Sequence, residues 1–365
     1  MKLDLYFGRK FFTIFAGISG VFFLLMLLID LVEQISRFSA SGVSLTDIFE
    51  LTLLNTPEGL YSIMPLIMIL STITLFLGLA RSSELVVVRA SGRSALRSLL
   101  SPLIVAATIG TLTVAMFNPI VAATSKRYNE LFEAYQSGSA NAFSISKEGL
   151  WLRQGGKDGQ TVIRAARANP EGTTFYDVTF LSYSADGGPM RRIEAEWAVL
   201  GNGQWTLTHA KVWPLNPQLN PEGAAETFAE MTLPSSLTQE RIRDSFGLPS
   251  SISIWNLPSY IAQLEEAGFS ARRHAVWLQM ELARPMFLMA MVLIASAFTM
   301  RHTRSGRTGI AVLASIMLGF SLYYIRNFAQ ILGENGQIPI MLAAWAPPSA
   351  SVLLALGLLL HMEDG

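Results

Sequence analysis

The sequence predicts an α-helical membrane protein with six transmembrane helices, three on each side of an inserted antiparallel β domain. Three observations carry that prediction. Hydrophobic residues make up 51% of the chain and charged residues 15%, against roughly 25% charged in a soluble protein, and the apolar residues are clustered. In the short flanks of the apolar runs, Lys and Arg fall almost entirely on one side. Between the third and fourth runs the pattern changes to period-two alternation.

A spanning helix needs about 20 mostly apolar residues. Residues 11–35, 60–79, 99–121, 276–300, 309–332 and 339–360 meet that requirement. The first run follows a basic start, "MKLDLYFGRK", as a signal peptide would. It is longer than the usual apolar core of a signal and flows into "LIDLVEQISRF" without a cleavage pattern, so it is expected to remain as an anchor. Lys2, Arg9, Lys10, Arg81, Arg89, Arg93, Arg97, Arg301, Arg304 and Arg307 flank the runs on one side. The opposite short loops hold Arg37 and little else. The positive-inside rule then puts both termini in the cytoplasm and residues 124–270 outside.

The outward segment contains "GLWLRQ", "QTVIRAARA", "TTFYDVTFLSYS", "RRIEAEWAVL", "QWTLTHAKVWPL" and "ETFAEMTL", separated by turn residues such as "NPEG" and "GNG". Alternation with β-branched and aromatic enrichment predicts strands of a sandwich or open roll. "NLPSYIAQLEEAG" then reads as a helix capped by Asn256, with a second helix beginning near Ser270. The expected organisation is 1–123 for the first three spans, 124–255 for the β domain and 256–365 for the connecting helix and last three spans.

Several chemistries are excluded. Cysteine is absent, which removes disulfides, thiolate metal sites and thiol nucleophiles. Gly156–Lys157 lacks the earlier glycine of a P-loop and is followed by Asp158. His209, His274, His302 and His361 are scattered, and neither His-Glu-x-x-His nor Gly-x-Ser-x-Gly occurs. A net charge of zero gives no pull toward nucleic acid.

"LARSSELVVVRASGRSALRS", residues 79–98, lies between the second and third spans. On charge alone it reads as a turn with topogenic arginines. It is, however, longer than the 2–8 residues of a bare helix–helix turn, carries an apolar run over 85–88, and ends in a Gly-type helix stop. A short surface helix headed by Glu84 fits it, with the acid favoured by the helix dipole.

The pattern "ARSSELVVVRASG", followed by a β segment opening at "EGLWLR", the helix "LPSYIAQLEEAG" and the closing "PIMLAAWAPPSASVLLALGLLL", resembles the LptF/LptG permease family of the lipopolysaccharide export ABC transporter. The likeness runs the length of the chain. It implies a bacterial inner-membrane permease with a periplasmic β-jellyroll-like domain, partnered by a sister permease of the LptF kind, a dimeric cytoplasmic ATPase, periplasmic bridge proteins of the LptC and LptA kinds, and lipopolysaccharide. It implies no cofactor on this chain, ATP and Mg being bound by the ATPase. The ATPase-docking coupling helix would consist of Arg81, Glu84, Leu85, Val86, Arg89, Ala90 and Gly92.

Ionisable residues within spans mark functional candidates, with snorkelling to the interface as the plain alternative for each. Asp30, Glu33, Arg37, Glu281, Arg284 and Arg326 are expected near the outer face, where together they suggest a polar rim for lipid head groups. The resemblance implies that spans one and five of opposite permeases form lateral gates there. Relatives commonly carry several basic residues at the outer end of span one. Here "IDLVEQISR" has one Arg and two acids, so the expectation is either a less phosphorylated substrate or positive charge supplied by the partner. Two other readings follow from the residues: a membrane-anchored scaffold whose β domain recruits periplasmic partners, and an enzyme with a dispersed site. A scaffold has no use for residues 81–92.

Overall fold

The computed structural model describes residues 2–39, 43–90, 94–137, 143–146, 149–156, 159–169, 172–184, 188–201, 203–215, 220–235, 237–238, 242, 248–266, 269–300 and 308–363. They divide into two compact units, one of Met1–Gln136, Ser250–Trp255 and Arg272–Gly365, the other of Ser137–Pro249 and Asn256–Ala271.

The first unit is helical. It begins with α1 (Lys2–Phe38), α2 (Leu45–Ser62), α3 (Met64–Arg81) and α4 (Glu84–Ala90). Next come α5 (Ala95–Leu112), a π-helical turn (Thr113–Phe117) and α6 (Asn118–Ser137). Among the described residues five helices are long and apolar enough to cross a membrane, and a bent pair described below brings the number to as many as six. Ser44 starts α2 with a reciprocal cap: its hydroxyl accepts the Asp47 N–H at 3.2 Å and donates to the Asp47 carboxylate at 2.7 Å. Ser94 starts α5 by accepting the Arg97 N–H at 3.2 Å.

Prolines account for the departures from the expected straight spans. The second span starts at Met64, preceded by the separate helix α2, because Pro65 cannot donate to the Tyr61 carbonyl four residues back. The third span continues past 124, the expected start of the β domain, to Ser137. Within it Pro119 frees the Ala115 carbonyl, which accepts the Trp255 indole N–H at 3.0 Å, while Asn118 accepts the Ile254 N–H at 2.8 Å.

The second unit is a single antiparallel sheet in which every strand pairs with its neighbours in sequence. Its strands are β1 (Phe143–Ser146), β2 (Gly149–Gly156), β3 (Gly159–Ala168), β4 (Thr174–Ser184), β5 (Pro189–Gly201), β6 (Gln204–Pro214) and β7 (Glu226–Pro234). The six strands read from the sequence are β2 to β7. Alternation places one apolar row across the sheet, Leu152–Ile163–Phe180–Ile193–Val212, and leaves Trp151–Arg164–Thr179–Glu194–Lys211 on the other face. Trp205 is fully buried between Phe175 and Phe180, at ring-centroid distances of 5.0 and 5.9 Å. The expected jellyroll-like connectivity is not what these strands make: a jelly roll needs Greek-key crossings, and this sheet is a meander. Helix α7 (Leu257–Glu266), expected with the last three spans, belongs to this unit, with Leu264 buried in the sheet's apolar cluster.

The helical unit is completed by α8 (Arg272–Leu282), α9 (Arg284–Thr299), α10 (Thr308–Glu334) and α11 (Ile340–Glu363). Helices α8 and α9 replace a straight fourth span by a pair bent by 49°, with Pro285 in the first turn of α9. Helix α9 is buried on nearly all sides, and α5 crosses it at Gly110. A Cβ at Gly110 would lie 2.7 Å from the Cα of Pro285, and backbone cannot swing aside as a side-chain tip can. Gly110→Ala is therefore expected to cost about 1–3 kcal/mol. Thermal unfolding in detergent checks this, and an unchanged midpoint would show that the crossing yields freely.

Candidate functional site

Two constellations of polar side chains stand out in the helical unit. The first is α4 and its surroundings. Helix α3 ends at Arg81, and Ser83 takes a left-handed conformation, φ 59°, that turns the chain at once into α4. Leu85 and Val88, three apart, point into the apolar core beside Phe7 and Phe11 of α1 and Leu79 of α3. Val86 and Val87 are 54% and 67% exposed, so the run over 85–88 divides into an anchoring pair and a presented pair. Packing holds this short helix, since valine is a poor intrinsic helix former.

Glu84 sits at its start and is held from two directions. Its carboxylate accepts the Ser82 hydroxyl at 2.8 Å, the Tyr6 hydroxyl at 2.9 Å and the Lys10 ammonium at 3.2 Å. Desolvation raises the Glu84 carboxyl, but those hydrogen bonds outweigh it and hold it below the usual carboxylate range. Arg81 and Ala90 are exposed; the Arg89 side chain and Gly92 lie outside the described residues. Tyr6 and Lys10 were not among the sequence candidates. Their spacing of four on a helix was a legible sign that they share a face, but nothing in the sequence aims that face at residue 84.

The second constellation contains three of the six proposed gate residues. Glu281 is fully buried and paired with Arg284 in a two-point contact at 2.6 and 3.0 Å. Arg284 lies over the Tyr61 ring, 3.9 Å from its centroid, and donates to the Tyr61 carbonyl at 3.3 Å. That carbonyl is the one Pro65 leaves free. Tyr61 in turn donates its hydroxyl to Glu281 and accepts from Asn118 at 3.3 Å. The group therefore clasps the break between α2 and α3 to the break between α8 and α9. Arg326 of α10 is buried nearby, with a long bond from Nη2 to the Met280 carbonyl at 3.5 Å and the Phe287 ring at 5.3 Å.

The other three candidates lie at the far end of α1. Asp30 accepts from Asn55 of α2 at 2.8 Å, and Gln34 beside it donates to Tyr128 of α6 at 2.9 Å. Glu33 and Arg37 form an exposed pair at 2.7 Å, with Arg37 over the Phe132 ring. The expected single rim of six is thus two groups. Glu281, Arg284 and Arg326 are buried within this chain; the Pro-broken spans supply Arg284 with a carbonyl and a carboxylate partner, whereas Arg326 has one long bond to the Met280 carbonyl. Along α1 the buried positions are Phe7, Gly8, Phe11 and Phe15 at one end and Gln34 and Phe38 at the other. Its middle carries Val21, Leu24, Leu28 and Val32 exposed, a surface for lipid or another apolar protein.

Comparison with known proteins places these features in a family. The chain matches the family described as "Lipopolysaccharide export system permease LptF/LptG" over residues 5–361. It is 24% identical to the lipopolysaccharide export system permease protein LptG of Escherichia coli (strain K12) over 368 aligned residues, covering 98% of each chain. The corresponding LptG of Haemophilus influenzae is 23% identical over 377 aligned residues, covering 99% of each.

Proposed function

The chain belongs to the LptF/LptG family of lipopolysaccharide export system permeases, and from that premise we propose that it is one of two paired permeases in an inner-membrane ABC transporter. It extracts lipopolysaccharide from the membrane and passes it, through its β unit, to periplasmic bridge proteins of the LptC and LptA kinds. In this reading six spans cross the membrane, α8 and α9 together making the fourth, with both termini cytoplasmic and the β unit periplasmic. The chain holds no cofactor; ATP and Mg belong to a separate dimeric ATPase.

The observation that carries the proposal is α4. A helix of this length with half its apolar run anchored in the core, half exposed, and an oriented carboxylate at its head offers a rigid docking element. An ATPase groove that closes on it moves the permease because Leu85 and Val88 are part of the transmembrane core.

The test is co-purification of the full chain with its host's ATPase and sister permease, native against Glu84→Arg. The variant is expected to stay folded in the membrane and to lose most of the ATPase. Undiminished co-elution together with normal ATP-driven export would remove the docking assignment. A native chain that binds neither partner would favour a membrane-anchored scaffold.

A further inference from the structure

Three breaks in the helical unit belong to one connected group. The chain turns at Ile63 between α2 and α3, passes through the π-helical turn Thr113–Phe117 between α5 and α6, and bends by 49° between α8 and α9. Two points join them. Gly110 of α5 bears on the Pro285 backbone at the bend. Eight residues further on, about 12 Å along a helix, Asn118 donates its amide N–H to the Tyr61 hydroxyl at 3.3 Å. Tyr61 donates in turn to Glu281, which holds Arg284. The π turn lies between the two points, and such turns occur frequently at functional sites.

The other end of the Asn118 amide serves a different segment. Its Oδ1 accepts the Ile254 N–H at 2.8 Å, and Ala115 in the π turn accepts the Trp255 indole N–H at 3.0 Å. Residues 250–255 belong to the helical unit, whereas the chain on either side of them, Ser137–Pro249 and Asn256–Ala271, belongs to the β unit. They form a stem through which the chain leaves one part of the β unit and returns to the next. Asn118 is 2% exposed, and in a low-dielectric interior each of its bonds is costly to lose. A rigid amide with one end on the stem and the other on the clasp cannot follow one without releasing the other.

We propose that Asn118 is a positioning residue for export, tying residues 253–255 to the Tyr61–Glu281–Arg284 clasp so that a change in the bend of span four turns the stem with it. The proposal rests on the export reading and adds to it an internal route that does not pass through α4. Gly110 against Pro285 is the fixed point, the π turn is the element that yields, and Asn118 is the tie.

The first test needs only the full chain in detergent, unfolded by denaturant. Tyr61→Phe removes the hydroxyl and Trp255→Phe the indole N–H, and among the described residues these two side chains share no hydrogen bond or ring contact. Their effects on the unfolding equilibrium constant are expected to depart from independence by roughly twofold to thirtyfold. Asn118→Ala should return the same pair to independence. Independent effects in the native background would overturn the tie. A departure that survives Asn118→Ala would belong to another route and remove Asn118 from it.

The second test reconstitutes the chain with its ATPase and sister permease and measures lipopolysaccharide exported per ATP hydrolysed. Asn118→Ala and Trp255→Phe are each expected to lower that ratio by a similar factor while hydrolysis continues. A purely structural role would lower export and hydrolysis together, and an unchanged ratio would overturn the positioning role. Should Asn118→Ala fail to fold, Trp255→Phe decides, since that ring is 68% exposed and loses one bond alone. A native chain that assembles with neither partner would sink the export reading before any substitution, and the positioning role with it; a failed cycle sinks the tie alone.

Discussion

Replacing Arg284 with methionine is expected to destabilise the helical unit by about 3–5 kcal/mol, the scale for breaking one side of a buried ion pair. The reason is what stays behind. Glu281 is fully buried, and without Arg284 its carboxylate keeps, among the described residues, only the Tyr61 hydroxyl. The Tyr61 carbonyl, already without its helical partner because of Pro65, loses the Arg284 donor as well. A second substitution separates these two losses. Arg284→Met with Glu281→Leu removes the stranded charge and should recover most of the deficit, leaving about 1–3 kcal/mol for the unsatisfied carbonyl. The measurement is denaturant or thermal unfolding of each variant in the same detergent. A double variant as unstable as the single one would mean that the charges matter less than the shape of the break. A loss below about 1 kcal/mol in the single variant would mean that the clasp does not hold the broken spans together.

That cluster also marks where sequence reasoning runs out. Glu281 and Arg284 stand three apart on a helix, so their pairing was open to inference, but Tyr61 is 220 residues from Glu281 and no local pattern joins them. Hydropathy gave the spans because it is a local sum. It could not tell that Arg284 and Arg326 turn inward, since snorkelling and burial ask for the same long apolar stem and differ only in the neighbours. The break at Pro285 was visible in "ELARPMF", and apolar continuity on both sides concealed it. Helix α2 escaped because Asp47, Glu50, Pro57 and Glu58 interrupt its hydropathy, although Ser44 and Asp47 spell a capping pair. In the β unit, alternation in "TTFYDVTFLSYS" and its fellows fixed which face of each strand is buried. It carried no information on which strand pairs with which, so the meander of the described strands was not legible in it.

Glu84 faces two partners in the proposed mechanism, and a charge exchange separates them. Lys10→Glu would set two carboxylates where an ammonium now lies 3.2 Å from Glu84 Oε1. Both side chains are about one-third exposed, so the expected loss of stability is small, on the order of 1 kcal/mol or less. The pair's contribution is present at neutral pH and above the ordinary carboxylate range. It is lost as pH falls through the lowered value that Glu84 has in the folded chain. Export is expected to respond far more strongly than stability. Tyr6 and Lys10 lie on the part of α1 whose Phe7 and Phe11 share a core with Leu85 and Val88, so their bonds set the angle at which α4 presents its carboxylate. A lost hydrogen bond to a charged group weakens docking by about 1.5–3 kcal/mol, or roughly tenfold to a hundredfold. The exchanged variant, Lys10→Glu with Glu84→Lys, restores attraction inside the chain and should recover the unfolding midpoint. It should not recover ATP-driven export, because the ATPase groove would then meet an ammonium where it accepts a carboxylate. Recovery of both would confine Glu84 to an internal role and move the dock elsewhere on the surface, with exposed Val86 and Val87 the next residues to change.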